Sequence, residues 1–535
     1  MLHLPVLVAV IQFIRLTLAV QTTVDLACHK YVGVQRTGGI TQWLGMQYAA
    51  APVGDLRFEP PQDPPCNSAA QVADTRGKMC LKTGADPTDS DTSEDCLYLD
   101  VFAPTNATRN SRMPVFFFIQ GGGFNSMANA GIDGTGLITA SGHSIVIVTF
   151  SYRVGPYGFI TDGDQITPNN GLMDQRKALE WVKENIAQFG GDPDHVVLGG
   201  DSAGAASISL QMAAYGGKST DLFHAAAAES VSFATVLTVE ESQYQYDYFA
   251  IQVGCAGNSS LACIKSKTSA ELQAANMDLP PYPGAGASPL YMWNPVIDGD
   301  MITDLTYNLY AEGKFVKIPA IYGDDTNGGT IFTPKDTSTI GESDAFLKDQ
   351  FPYLTLEQLG EINDLFPNTN DTCPNTGCYW RQVSDAYGNM RYMCPTVYIV
   401  SEMANHGARA YSYRYNVEDP EQIAEGLGVP HTVELNAVFG PEYMGPDADP
   451  PASYYRNGTN AAVVPVVQAY WASFIRSFDP NKYRYPGSAI WEVWSPQAQD
   501  RLLFETGGKT RMETVDAATK ARCEYFWSIG AAVRQ

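Results

Sequence analysis

One short stretch limits most strongly what this chain can fold into. His195 to Gly200 (HVVLGG) is an apolar run of strand character, Gly200-Asp201-Ser202-Ala203-Gly204 follows as a turn of small residues, and AASISLQMAAY reads as a helix that stops at Gly216 and Gly217. Only small neighbours allow a strand to bend so sharply into a helix. The bend leaves the Ser202 hydroxyl exposed at the C-terminal edge of a sheet, with a helix N-terminus behind it. A serine in that setting is a candidate nucleophile.

The flanking sequence supplies the sheet. PVFFFIQ, SIVIVTFSYR and HVVLGG are short β-branched or aromatic runs, and QRKALEWVKENIAQF and AASISLQMAAY are helix-like stretches between and after them. Strands this apolar on both faces belong in a sheet covered on both sides, so the expected fold class is α/β, with a mostly parallel central sheet and helices on both faces. A chain of 535 residues, 44% hydrophobic, can bury one large core. Residues 20–535 are read as a single domain. Beyond about Val239 the pattern becomes irregular, as insertions that build a pocket above a sheet would be.

The first residues, MLHLPVLVAVIQFIRLTLAV, run apolar to the small residues Thr17 and Ala19. They are read as a signal peptide over residues 1–19 rather than an anchor, because Arg15 interrupts the run and leaves it short for a span. Ten cysteines and four Asn-x-Ser/Thr sequons, at Asn106, Asn258, Asn370 and Asn457, agree with export to an oxidising, glycosylating compartment. Spacing leaves the cysteine pairing open. A formal charge of -24 disfavours nucleic acid and anionic membrane surfaces as partners, and otherwise describes an acidic, soluble exterior. The cysteines form no Cys-x-x-Cys pair, and neither a metal nor an organic cofactor is expected.

Upstream of the serine, PVFFFIQ runs into Gly121-Gly122-Gly123-Phe124. Three glycines let backbone N–H groups approach a ligand oxygen, so the N–H groups of Gly122, Gly123 and Ala203 are the expected oxyanion donors.

With these motifs in hand, the chain resembles the type-B carboxylesterase, cholinesterase and fungal lipase family. The resemblance runs from about Val34 to the C-terminus, through Gly45-Met46-Gln47-Tyr48-Ala49, Glu94-Asp95-Cys96-Leu97-Tyr98-Leu99, Tyr152-Arg153, Asn170-Gly171-Leu172, Phe189-Gly190-Gly191-Asp192-Pro193 and Asp479-Pro480-Asn481. It implies an α/β-hydrolase fold and a serine ester hydrolase working through an acyl-enzyme on a small-molecule ester. It also implies a loop closed by Cys96 with Cys66 or Cys80, a small Cys255–Cys263 loop and a Cys394–Cys523 staple. Many members carry His where this chain has Gln120.

In such folds the base follows the serine in the chain. Among the later histidines, His224 comes too soon and His406 sits at a helix end, whereas His431 lies in Gly428-Val429-Pro430-His431, followed by Glu434, which resembles the family's catalytic-histidine loop. The acid position falls in Gly323-Asp324-Asp325-Thr326-Asn327-Gly328-Gly329-Thr330, where the family pattern places a glutamate at Gly328. Glycine can neither hold the imidazole tautomer nor stabilise the imidazolium. Three readings stay open: a surrogate carboxylate, Asp325 or Glu229, replaces it; Ser202 and His431 act without an acid; or the pocket binds or transforms a small molecule without hydrolysis. An adhesion role is a fourth, disfavoured by the retained Ser202. No aromatic residue lies between Cys66 and Cys96, which removes the main support for a choline-ester cage. The same polar segment makes a poor lipase lid, so soluble, medium-sized esters are expected.

Overall fold

The computed structural model describes residues 22–535, apart from residues 87, 127–130, 219–220, 278, 369–372, 374 and 446–447. The signal peptide assigned to residues 1–19, and the sequon at Asn370, lie outside the described residues. No described helix is long and apolar enough to cross a membrane.

Eleven strands form the main sheet: β1 (Val34–Arg36), β2 (Ile40–Gln47), β3 (Tyr98–Pro104), β4 (Met113–Ile119), β5 (Val146–Phe150), β6 (Gly191–Asp201), β7 (Ala225–Glu229), β8 (Ala320–Asp325), β9 (Ala410–Asn416), β10 (Asp500–Glu505) and β11 (Lys509–Thr514). Their order is β11-β10-β9-β8-β7-β6-β4-β5-β3-β2-β1. From β5 through β10 every neighbouring pair is parallel, and the antiparallel pairings lie towards the two ends.

The apolar runs are explained by burial on both faces. Along β4, Val115, Phe117 and Ile119 enter one core, while Phe116 and Phe118 enter the other; along β7, Ala226 and Ala228 divide from Ala225 and Ala227 in the same way. This is the period-2 alternation of a pleated strand with no wet face. The first core is closed by α1 (Asn170–Asn185), α2 (Ala203–Gly217) and α4 (Cys394–Asn405), and the second by α5 (Val463–Ser477). A third apolar cluster joins α3 (Trp380–Gly388) to α6 (Ala517–Ser528), and the Cys394–Cys523 disulfide crosses it.

The helix expected from Gln175 begins earlier, at Asn170, and its last turn, Ile186–Phe189, is 3-10. The helix after Ser202 leaves helical dihedrals at Ala214, ahead of the glycines that were expected to end it. The open cysteine choice resolves as Cys80–Cys96, with Cys66 joined to Cys28; Cys255–Cys263 and Cys373–Cys378 close small loops.

Strand register positions the chemistry. Asp201 pairs with Glu229 and Glu229 with Gly323, so β6, β7 and β8 end nearly flush, and Gly200 pairs with Ile119 on the other side. Four chain segments therefore leave the sheet together at one edge. Just beyond β5, Arg153 forms a buried two-pronged pair with Asp174 on α1, at 2.7 and 2.8 Å, and also donates to the Glu59 carbonyl. Arg153→Ala would strand the Asp174 carboxylate and should destabilise the protein by about 3–5 kcal/mol. An Arg153→Met/Asp174→Leu pair should cost much less; denaturant unfolding of both variants checks this.

Candidate active site

Ser202 sits at the start of α2 with φ 54° and ψ -120°, a conformation that a non-glycine residue adopts only when its surroundings impose it. The imposing contact is at Gly204. A Cβ there would lie 1.9 Å from the Ile119 carbonyl oxygen, so α2 can approach β4 this closely only with glycine at that position. The Ser202 N–H donates to the Glu229 carbonyl at 3.0 Å, and its own carbonyl accepts from Ala206 at 2.9 Å, which fixes the turn from both sides.

The glycine loop is tied to the same elbow, because Gly121 N–H donates to Asp201 Oδ1 at 2.9 Å. Gly122 and Gly123 both have positive φ, 114° and 62°, and a Cβ on Gly122 would strike the Ser126 carbonyl. The N–H groups of Gly122, Gly123 and Ala203 donate to no acceptor among the described residues, so three donors of the glycine loop and the elbow are unspent.

His431 is buried, 7% exposed, in the loop after β9. Its ring lies against Tyr392 (centroids 4.2 Å apart) and Phe332 (5.4 Å), and neither ring nitrogen has a hydrogen-bond partner. Burial, and then the positive charge of Arg391, push its pKa down to about 3, so the imidazole is neutral and weakly basic. The other two histidines considered hold structural posts: His224 Nδ1 accepts from Val196 N–H, and His406 meets the Ala311 carbonyl.

Gly328 lies in the turn after β8. A Cβ there would be 3.1 Å from Tyr392 Cδ2 and otherwise unobstructed. Tyr392 therefore packs against both the Gly328 position and the His431 ring. Asp325 comes close but points elsewhere: its Oδ2 accepts from Thr432 N–H (2.7 Å) and Ser230 Oγ (2.8 Å), so it holds the residue after the histidine rather than the ring. Glu229 is also committed, accepting from Gly200 N–H and from Trp471 Nε1, and the reading in which it swings to His431 loses its free carboxylate.

Ser230 Oγ also lies 2.5 Å from Glu434 Oε1. A hydroxyl has one proton, so it can donate to one of the two carboxyl groups only; the other contact requires a proton on the carboxyl itself. In agreement, burial raises the pKa of both Asp325 and Glu434, and the Glu434 charge raises Asp325 further. Nothing in the local sequence pattern marks Ser230, Tyr392 or Arg391 as neighbours of His431, since three separate segments bring them there. Among the described residues no group of His, Cys, Asp and Glu is arranged to hold a metal ion.

An elbow serine on a largely parallel, doubly covered sheet, with a glycine loop tied to the elbow and a buried histidine, defines the α/β-hydrolase class. The model of the carboxylesterase family matches residues 24–526, and the chain belongs to that family. It is 35% identical to Lipase 1 of Geotrichum candidum, over 94% of each chain, and 27% identical to Secreted lipase 4 of Gibberella zeae, over 91% of this chain and 88% of that one. The crystal structure of Aspergillus niger EstA superposes with a TM-score of 0.92 at 39% identity, covering 96% of this chain and 99% of that one.

The shared proton gives a pH prediction. A carboxyl whose pKa is raised by folding binds its proton more tightly in the native state, so its contribution to stability is present at low pH and is lost as pH rises from about 4 through the folded value. Asp325→Asn keeps both hydrogen-bond acceptances but removes that titration. Stability relative to wild type, from urea unfolding at pH 4.5 and 7.5, should improve at the higher pH.

Proposed function

We propose that this chain is a secreted carboxylic ester hydrolase that forms an acyl-enzyme on Ser202, at a rate limited by the absence of a carboxylate on His431. The observation that carries this reading is the strained Ser202 elbow tied through Asp201 to a glycine loop whose Gly122 and Gly123 N–H groups, like that of Ala203, have no acceptor among the described residues. That arrangement serves the tetrahedral oxyanion of acyl transfer, and a purely structural turn would have no need of it.

In this mechanism Ser202 Oγ attacks the ester carbonyl while His431 accepts its proton, and the oxyanion is held by the three N–H groups. Collapse expels the alcohol, which takes the proton from His431; water, deprotonated by the same histidine, then releases the acid and restores Ser202. Each step needs a transient imidazolium. Gly328 offers it no counter-charge, and the nearby Arg391 opposes it, so both proton transfers are slow. Removal of the orienting carboxylate costs about 10⁴-fold in other triads, and a loss of that order is expected here. Asp325 acts as a partial surrogate through the backbone, by fixing the loop at Thr432.

Secretion is supported by the apolar leader, by five disulfides, by the exposure of Asn106, Asn258 and Asn457, and by similarity to a relative named a secreted lipase. Residues 20–535 are taken as a single catalytic domain. The polar Cys80–Cys96 loop favours soluble, medium-sized esters over lipid aggregates. A second reading, a homologue that binds a small molecule without hydrolysing it, is favoured by one feature: Tyr392 packs against both the Gly328 position and the His431 ring.

Hydrolysis of p-nitrophenyl acetate and butyrate decides between them. Wild-type turnover should be measurable and abolished by Ser202→Ala; turnover equal to that of Ser202→Ala would support the second reading. Gly328→Glu alone should gain modestly, and Gly328→Glu/Tyr392→Val by about 10²-fold or more, because the smaller side chain opens a path for the carboxylate to His431. For the wild type, the acid limb of the kcat/KM profile should lie well below the usual histidine range near 6.5, as a base held neutral down to about pH 3 requires. In Gly328→Glu/Tyr392→Val that limb should move to higher pH.

A further inference from the structure

Arg391 is a buried cation without a counter-ion. It lies on the π-helical turn Asn389–Met393 between α3 and α4 and is 3% exposed. The other deeply buried arginines have carboxylates: Arg57 with Glu94, Arg153 with Asp174 and Arg501 with Glu513. Arg391 has none among the described residues. Its Nε donates to Ser232 Oγ at 2.9 Å, and its face lies over Tyr291 and Tyr387, with Cζ 5.2 and 5.8 Å from the ring centroids. The phenols around it are neutral, because burial raises the pKa of each. No carboxylate among the described residues accepts from its two Nη groups, and the Tyr387 hydroxyl lies within hydrogen-bonding reach of the guanidinium.

The charge stands at the wall of the active site. Ser232, which holds Nε, donates its N–H to the Ser202 carbonyl at 3.3 Å. Tyr291, under the guanidinium, covers Gly123, where an added Cβ would lie 2.2 Å from the ring. Tyr392, the next residue, packs on His431. Ser232 also helps to line a small cavity of about 20 Å³, together with Phe124, Ala206 and Phe233. Desolvating a guanidinium is costly unless something pairs with it. Here a guanidinium with no carboxylate among the described residues is linked to the nucleophile's backbone through Ser232, to the glycine loop through Tyr291 and to the histidine through Tyr392, in a chain whose net charge of -24 gives no general attraction for anions.

We propose that Arg391 binds an anionic group of the substrate, so that the preferred esters carry a carboxylate near the scissile bond, as a monoester of a dicarboxylic acid does. The planar fork of Nη donors suits a carboxylate, and water is already excluded from most of the side chain. The same charge that weakens His431 as a base thus selects the substrate, and neutralisation of Arg391 by a bound anion relieves His431 in the complex. This inference rests on the esterase reading for its kinetic arm only.

Two measurements test it. In Ser202→Ala protein, which cannot turn over, monomethyl glutarate should bind in calorimetry 10- to 100-fold more tightly than dimethyl glutarate, the usual range for a charge-assisted contact. In wild type, p-nitrophenyl hemiglutarate should exceed p-nitrophenyl pentanoate in kcat/KM by a similar factor if the acyl half carries the charge; 4-butyryloxybenzoate against phenyl butyrate tests the alcohol half. Arg391→Gln should erase the preference and Arg391→Lys should keep part of it. The inference is overturned if the anionic ligand and both anionic esters show no advantage over their neutral twins in the unsubstituted site, a result that needs no Arg391 variant to fold. It is equally overturned if the advantage persists unchanged in folded Arg391→Gln. Binding of monomethyl glutarate without turnover of any ester would uphold the anion site and remove the hydrolase reading.

Discussion

The close approach of α2 to β4 at Gly204 is the contact on which the site depends. With the Ile119 carbonyl less than a bond length and a half from where a Cβ would stand, the helix reaches the sheet only because that atom is missing. The strain at Ser202 follows from this approach, since the chain must reverse within one residue to enter the helix. So does the nearness of the glycine loop, which leaves the adjacent strand at the same level and is tied to Asp201. Backbone dihedrals that would be unfavourable in isolation are held by two buried cores, one on each face of the sheet, whose combined area far outweighs the local cost.

Around this elbow the electrostatics are unusual for their lack of pairing. Among the described residues a buried histidine has no partner on either nitrogen, a buried arginine has no carboxylate, and two buried carboxyl groups share one serine hydroxyl. In a low-dielectric setting each of these is expensive alone. Tyr392 and Phe332 pack against the imidazole, and the carboxyl pair is held instead by Ser230 and the backbone at Thr432.

Much of this arrangement could be read before any coordinates. The sheet and its layering were legible because strands buried on both faces are written as continuous apolar runs, and the elbow because its small residues occur in one contiguous stretch. Helix ends were less so: α1 starts five residues before its apolar periodicity suggests, since tertiary contacts of Asn169 and Asn170 extend it. The disulfide choice at Cys96 was open because spacing carries no information about distance.

What the sequence determined by itself is whatever depends on neighbours along the chain: the covered parallel sheet, the serine in its turn and the glycine loop. What only the tertiary structure decided is how residues hundreds of positions apart share one space. That Tyr392 packs against both Gly328 and His431, that Asp325 turns to Thr432 and Ser230, that Glu229 is tied to Trp471, and that Arg391 stands beside Ser232 are all consequences of packing between segments. A pattern along the chain records which side chains exist; it does not record which of them are brought within a few ångströms of one another.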